Sequence, residues 1–535
     1  MARPQRSGTG PARSRARQSQ AADAPAPGKG QHGRGGQPRG GRPGTARGTR
    51  ADPVRRTAYD VLWAVDQRDA YANLFLPALL RERGIEGRDA ALATELTYGT
   101  LRAVATYDAI LEMCSDRRLD EIDPPVREVL RLGAHQLLAT RVRSHAAVAT
   151  SVDLAKDVAG MRPAGFVNAV LRRVATRDLE EWIQIIAPDR SADPVGYLAA
   201  RYGYPRWIVG AFRDALGEDP AGGLAETEGT LAAGNIRPRT TLAAVPGLAD
   251  QAELAGEAEL AGQAGRAPAG SAGAGAQTAR WSPFGVVLKG GDPGALPAVA
   301  EGRAFVQDEA SQLAAVALAS APLTGPDQRW LDMCAGPGGK AALLGGLGGG
   351  RGARLLASDM RPHRAQLARA HLRRLPGAGV VVADGRSGAW QAGAFDRVLA
   401  DVPCSGLGAL RRRPEARWRK SPDDVASLGG LQRDLLGAAI DAARPGGIIA
   451  YVTCSPHLTE TRDVVSDVIR ARDDVSVIDA PAILADAPGV SGAHGVPDVR
   501  CPDPYGAYAQ FWPHRHGTDA IFLALIRREP PSPRH

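Results

Sequence analysis

From Arg329 onward the chain repeats one pattern. Short apolar runs alternate with helical stretches, and each run ends at or beside an acid or a cysteine. The runs are Trp330-Leu331-Asp332, Leu355–Asp359, Val380–Asp384, Phe395–Asp401 and Ile448–Thr453, the last followed at once by Cys454. Stretches with helical composition, such as Pro362–Leu375 and Val425–Ala443, separate them. Strands and helices in alternation predict a parallel, doubly wound α/β sheet. In such sheets ligands bind outside the carboxyl ends of the strands, which is where these five acidic or thiol positions fall.

The first run leads into Asp332-Met333-Cys334-Ala335-Gly336-Pro337-Gly338-Gly339-Lys340. Glycines between a strand and a helix let backbone approach a ligand closely. A Walker phosphate loop needs glycine where Cys334 stands and Ser or Thr where Ala341 stands, so that pattern fails. The dinucleotide fingerprint also fails, because Gly336-x-Gly338 lacks its third glycine at the right offset. An acid does follow, Asp359, at a distance that suits hydrogen bonds to ribose hydroxyls of an adenosine-containing cofactor. A tight strand-to-helix turn without a ligand is the alternative.

The chain holds five cysteines, at 114, 334, 404, 454 and 501, too few and too scattered for a disulfide framework. No Cys-x-x-Cys pair occurs, so no cysteine-based zinc site is expected, and no metal is expected elsewhere. Two of the five, Cys404 in Asp401-Val402-Pro403-Cys404-Ser405-Gly406 and Cys454 in Thr453-Cys454-Ser455, sit at strand ends and imply thiol chemistry. Inert buried thiols are the alternative; Cys114 and Cys501 are expected to be structural. With no apolar signal core or membrane-length run, the sequence predicts a cytoplasmic protein with reduced thiols and no membrane partner.

The net charge of +8 belongs to one segment. Residues 1–50 carry eleven Lys/Arg and one acid, Asp23, so the remainder is slightly acidic. This Arg/Gly-rich segment has too few apolar residues to order itself. It is read either as a contact to RNA phosphates and bases or as a solvated extension. Residues 51–185 show helical spacing without strand alternation, as at Val126, Val129, Leu130, Gly133 and Leu137, and predict an all-helical domain. A mixed region follows over 186–325. Within it, about 242–278 is dominated by Ala and Gly and reads as a flexible insertion, with an Ala-rich helix over Ala252–Ala264 as the alternative. The α/β catalytic domain is placed at 326–530. Beyond Cys404, Arg411-Arg412-Arg413 and Arg417-Trp418-Arg419-Lys420 suit phosphate contact and base stacking, or else form a solvated basic loop.

Taken in order, the glycine loop, Asp359, Asp384, Asp401-Val402-Pro403-Cys404 and Thr453-Cys454-Ser455 resemble the motifs of S-adenosylmethionine-dependent RNA cytosine-C5 methyltransferases. Val306–Ser311 resembles the segment before their catalytic core, and His516–Phe522 their closing strand. Glu95–Arg102, Leu130–Ala134 and Phe166–Arg172 resemble a NusB-like RNA-binding domain. That fusion is the arrangement of the RsmB (Sun, Fmu) family, which methylates 16S rRNA. The resemblance implies an all-α NusB-like domain followed by a Rossmann-like class I methyltransferase domain.

It further implies S-adenosylmethionine bound by Asp332, Cys334, Ala335, Gly336, Pro337, Gly338, Gly339, Lys340, Asp359, Asp384 and Asp401, with Lys340 on the cofactor's carboxylate and Asp384 near its adenine. Cys454 is then the nucleophile, Cys404 assists adduct release, and Asp401 meets the cytosine ring. Arg411, Arg412, Arg413, Arg417 and Trp418 are the expected RNA contacts. Glu460 is followed by Thr461 where the family often has Asn, which weakens any role carried over to position 461. The same chemistry on tRNA or another rRNA site, and a non-catalytic ribosome-assembly factor, are the alternative functions.

Overall fold

The computed structural model describes residues 51–219, 223–263, 275–490 and 496–530. The basic segment 1–50 and residues 264–274 of the Ala/Gly stretch lie outside the described residues.

Eight helices come first: Pro53–Arg68, Ala72–Glu82, Gly87–Arg102, Val104–Cys114, Pro124–Ala139, Ser144–Ala159, Ala164–Val174 and Leu179–Ile186. Their boundaries follow from local chemistry. Asp52 caps a helix that has Pro53 in its first turn, and Asp178 with Glu181 forms a reciprocal capping box. The apolar faces meet in one core that includes Leu62, Leu96, Ile110, Leu111, Leu130 and Leu171. Two glycines set how closely helices approach: Gly99 lies against the His135 ring and Gly133 against Leu171. His135 Nδ1 is 2.9 Å from the Tyr107 hydroxyl, and burial pulls its pKa down to about 4, so it packs as a neutral ring.

Helices Pro194–Tyr202, Arg206–Leu216 and Ala225–Asn235 continue the chain. Their core residues Leu198, Ile208, Phe212 and Leu231 pack with Leu407, Leu410, Trp512 and Ala520 of the α/β region. The mixed region is therefore joined apolar-to-apolar with the loop that carries Cys404.

The Ala/Gly stretch departs from expectation. It is not a flexible insertion over its described length. Strands β1 (Thr241–Ala244), β2 (Ala276–Thr278), β3 (Gly285–Leu288) and β4 (Ala304–Val306) form an antiparallel sheet in the order β2-β3-β1-β4. The helix Gln251–Gln263 packs on it, in the place foreseen for an Ala-rich helix. Leu242, Ala244, Leu254, Ala258, Val286 and Leu288 bury one another, and Arg303 bonds to Glu253, Glu257 and Glu301. Small side chains suffice here because sheet and helix lie close together.

The main sheet contains β5 (Arg329–Asp332), β6 (Arg354–Asp359), β7 (Ala378–Val382), β8 (Phe395–Asp401), β9 (Ala443–Thr453), β10 (Val475–Ile478), β11 (Ala509–Gln510) and β12 (Phe522–Arg528). Its order is β10-β12-β9-β8-β5-β6-β7, with β11 on β12. Strands β5 to β9 pair in parallel, as the alternating pattern required. β10, β11 and β12 are antiparallel additions, so the sheet is mixed. The closing strand begins at Phe522, where the segment His516–Phe522 ends, because His516 still belongs to a short helix. Strand order reverses at β5, so the crevice between β5 and β8 is the topological switch point. Among the described residues no helix is long and apolar enough to cross a membrane.

A Cβ at Gly99 would overlap the His135 ring, itself fully enclosed. Gly99→Ala is expected to lower stability by about 1–3 kcal/mol through overpacking, read from urea unfolding curves.

Candidate active site

Asp332 and Asp401 end β5 and β8, the two strands that flank the switch point. Asp332 is fully buried, and no side chain donates to either carboxyl oxygen; the neighbouring Cys334 N–H is its one backbone contact. Burial, reinforced by the Asp401 charge, pushes its pKa up to about 8, with Lys340 opposing the shift. A buried polar group without a partner is rare in a folded protein and marks where a ligand would complete the bonding.

The glycine loop follows. Gly336 (φ +56°) and Gly338 (φ +98°) occupy left-handed conformations, and a Cβ at 338 would come within 2.9 Å of Ala368 Cα. Ala335 N–H donates to Ser358 O at 2.8 Å, and Gly336 N–H donates to Asp359 Oδ2 at 3.1 Å, which ties the loop to the end of β6. Pro337 is exposed at the turn, and Gly339 begins the helix Gly339–Gly349. Asp384, just past β7, holds Arg386 at the surface. The Cys334 thiol is pushed far up by burial and then by the Asp332 charge, which makes it unreactive. A left-handed glycine turn, an unpartnered buried carboxyl and acids at three neighbouring strand ends fit a cofactor with a ribose and a charged amino-acid tail.

Lys340 is placed differently from expectation. Its Nζ donates to Asp401 Oδ2 at 2.8 Å rather than standing free for a ligand carboxylate. Burial alone would lower its pKa, but the Asp401 charge and hydrogen bond raise it, so the pair is ionic. No described group donates to Asp401 Oδ1.

The two thiols meet. Cys404 Sγ and Cys454 Sγ are 3.2 Å apart, share one hydrogen bond, and are free rather than disulfide-bonded. The β8–β9 register, with Asp401 opposite Val452, starts both loops at the same level. The hydrogen bond from Cys404 holds Cys454 below the ordinary thiol range against burial and the Asp401 charge, with Lys340 helping. The same bond, then burial, drives Cys404 well above that range. Cys454 is thereby the more readily ionised member of the pair.

A residue outside the predicted set organises both loops. Glu460 is fully buried between Ser405 and Ser455, each the residue after a cysteine. Its Oε1 accepts from Ser405 N–H at 2.7 Å, and its Oε2 accepts from the Ser405 and Ser455 hydroxyls at 2.5 and 2.6 Å. Gln432 Nε2 donates to Oε1 at 3.2 Å and to Pro403 O at 2.9 Å. The twinned Cys-Ser dipeptides were the available sequence signal. Thr461, by contrast, bonds only to nearby backbone, through His457 O at 2.9 Å and Leu458 O at 3.4 Å.

The basic run beyond Cys404 is largely internal. Arg411 and Arg412 are not RNA contacts: both bridge Asp308 and Asp519, with distances of 2.5–2.8 Å. Two adjacent buried carboxylates demand that compensation. Asp308, from the segment expected to precede the catalytic core, also caps the helix Glu309–Ser320. Arg417 is fully buried among backbone carbonyls and Tyr204, so it cannot reach RNA either. Arg413 and Trp418 are exposed, as a contact surface requires. His514 and His516 are packing residues: His514 lies between Thr230 and Glu226, and His516 is buried.

Two outcomes are expected. Glu460→Gln leaves at least one buried hydroxyl or amide donor without an acceptor, costing about 1–3 kcal/mol of stability in chemical unfolding. For Asp332, the folded protein holds a proton from the ordinary carboxylate range up to about pH 8 that the unfolded chain releases. Its contribution to stability is greatest below that window and is lost as pH rises through it. Asp332→Asn should flatten this part of the ligand-free melting-temperature profile; an unchanged slope between pH 5 and 8 would contradict the assignment.

Comparison with known proteins identifies the family. The family model for 16S rRNA methyltransferase RsmB/F matches residues 321–527, and that for the NusB family matches residues 52–176. A Mycobacterium tuberculosis (strain H37Rv) protein named as a methyltransferase is 50% identical over 477 residues, 89% of this chain and 97% of its own. The ribosomal RNA small subunit methyltransferase B of Pseudomonas putida is 33% identical over 445 residues, 82% of this chain and 93% of its own. The crystal structure of PH0851 shares the fold, with a TM-score of 0.68 at 20% identity, covering 89% of this chain and 99% of that one. With a methyltransferase domain over residues 321–527 and a NusB-like helical domain before it, the chain belongs to the ribosomal RNA small subunit methyltransferase B family.

Proposed function

We propose that this protein methylates carbon 5 of a cytosine in 16S rRNA through a covalent adduct between Cys454 and carbon 6 of the ring. The observation that carries the reading is the thiol pair, 3.2 Å apart, with the acidic member at Cys454. Carbon 5 of cytosine is a weak nucleophile. When the Cys454 sulfur bonds to carbon 6, the ring's π electrons shift and carbon 5 gains enamine character. A thiolate suits this step because it both attacks and departs readily. Bound S-adenosylmethionine supplies the electrophilic methyl group that carbon 5 takes up.

The proton on carbon 5 must then leave, its bonding electrons re-forming the carbon 5–carbon 6 double bond and expelling the Cys454 thiolate. Cys404, in contact with Cys454, is assigned to this step. The hydrogen bond to Cys454 is the main cause of its high pKa, and that bond weakens once the Cys454 sulfur is bound to carbon 6. Cys404 therefore becomes easier to ionise when a base is needed. Asp401, held by Lys340 through Oδ2, keeps Oδ1 for the nitrogen edge of the cytosine. Arg413 and Trp418 remain as exposed candidates for RNA contact.

Cys454→Ala should abolish both methyl transfer and adduct formation. Cys404→Ala should retain attack but accumulate a protein–RNA complex that survives a denaturing gel; the reverse pattern would exchange the two roles. Bisulfite sequencing of ribosomal and transfer RNA from a deletion strain identifies the substrate, and loss of a mark in tRNA alone would replace 16S rRNA in this reading.

A further inference from the structure

Three arginines gather where the helix Gly87–Arg102, the helix Ala225–Asn235 and the segment 415–419 meet, and no carboxylate pairs with any of them. Arg417 donates only to neutral acceptors: Arg102 O at 2.8 Å, Tyr204 OH at 2.7 Å, Asn235 Oδ1 at 2.9 Å and Gly234 O at 3.2 Å, with weaker contact to Gly203 O at 3.4 Å. Its guanidinium also stacks on the Tyr204 ring, 3.6 Å from the centroid. Arg102 is 6% exposed, and its Nε is sealed from solvent without an acceptor. Among the described residues nothing accepts a hydrogen bond from its guanidinium; its companion is the Tyr98 ring, 5.7 Å away. Arg237 is exposed, two residues past Asn235, and has no ion-pair or hydrogen-bond partner among the described residues.

The three charges act on one another. Burial pulls Arg102 below the ordinary arginine range; Glu95 opposes that, and Arg237 adds to it by repulsion. Burial takes Arg417 down to about 10, with Arg102 contributing. Glu95 offers Arg102 no bond. Its carboxylate is half exposed and lies 3.8 Å from His135 Nε2. A guanidinium is a planar fork of donors matched to two oxygens of one anion, and burying it without an acceptor is costly. The arrangement thus lacks one component, an anion for the Arg102 guanidinium, whose Nε is sealed without an acceptor, with the exposed Arg237 nearby.

We propose that Arg102 and Arg237, backed by Arg417, form a phosphate subsite for the backbone of the substrate RNA. This rests on the RNA reading above. A backbone phosphate rather than a free anion is favoured by the neighbouring Trp418, 42% exposed and available to stack a base. Trp418 follows Arg417 on the segment that runs on from the Cys404 loop. The Glu95–Arg102 stretch, prominent in the sequence but without a part in the chemistry, thereby gains a role.

The test is equilibrium binding of protein-free 16S rRNA to the wild-type, Arg237→Gln, Arg102→Met and Arg102→Lys proteins across a salt series. Removal of one phosphate contact should make the slope of log affinity against log salt shallower by about 0.7–0.9. Arg237→Gln and Arg102→Met are each expected to show that change and weaker binding, Arg102→Lys to restore most of the slope, and S-adenosylmethionine binding to stay unchanged. Arg102→Met should also melt no lower than wild type, since it removes an uncompensated buried charge; Arg237→Gln, at the surface, carries the test if Arg102→Met fails to fold. Unchanged slopes in a wild-type-like RNA binder would overturn the subsite while leaving the RNA reading intact. Inorganic phosphate that stabilises wild type but not Arg102→Met, with unchanged RNA slopes, would assign the site to a free anion instead. A wild-type protein that binds no rRNA would sink the RNA reading itself.

Discussion

The parallel pairing of β8 with β9 is what the thiol pair depends on. Opposing Asp401 with Val452 makes both strands release their chains at the same height, so Cys404 and Cys454 arrive side by side although fifty residues separate them. Slipping one strand by a single residue would turn its side chains to the other face of the sheet and part the sulfurs. Buried groups hold the register at its upper end. Glu460 binds the residue after each cysteine, and Gly408 N–H donates to Cys454 O at 2.9 Å. A Cβ at Gly408 would collide with the Ala520 carbonyl, so only glycine fits this crossing of loops.

Around that register the site is arranged as an uneven distribution of charge in a poorly screened space. Lys340 is committed to Asp401, and Asp332 is left with no side-chain donor. The two carboxylates differ accordingly: Asp401 is held by Lys340, while burial and the Asp401 charge push the pKa of Asp332 up. Asp308 and Asp519 show the opposite arrangement a short way off, with two arginines sharing both acids. The first set is open to a ligand, and the second is closed on itself.

The strand-end acids and cysteines were legible because they coincide with a change of hydrophobic rhythm, which a parallel sheet imposes on any sequence. The helical domain was legible through its spacing. What escaped has physical reasons. β1 to β4 are three or four residues long, too short to display alternation, and their core is built from Leu, Val and Ala in a stretch that reads as low complexity. Arg411, Arg412 and Arg417 look like a surface because charge usually lies there. Only the fold brings Asp308, Asp519 and a ring of carbonyls to meet them. Glu460 stood in plain sight, but its partners come from two loops that sequence alone does not join.

The fastening of the Cys404 loop by residues far along the chain bears on how the enzyme is made. Arg411 is bonded to Asp519, 108 residues later, and Ala520 N–H donates to Gly408 O. Strand β12 then lies between β9 and β10, against the flank of the same sheet. During synthesis both thiols leave the ribosome well before the segment that aligns them. A nascent chain short of Asp519 carries both thiols yet lacks the bonds by which Asp519 and Ala520 fasten the Cys404 loop. The thiol pair is thus completed only when the segment around Asp519 has joined the sheet.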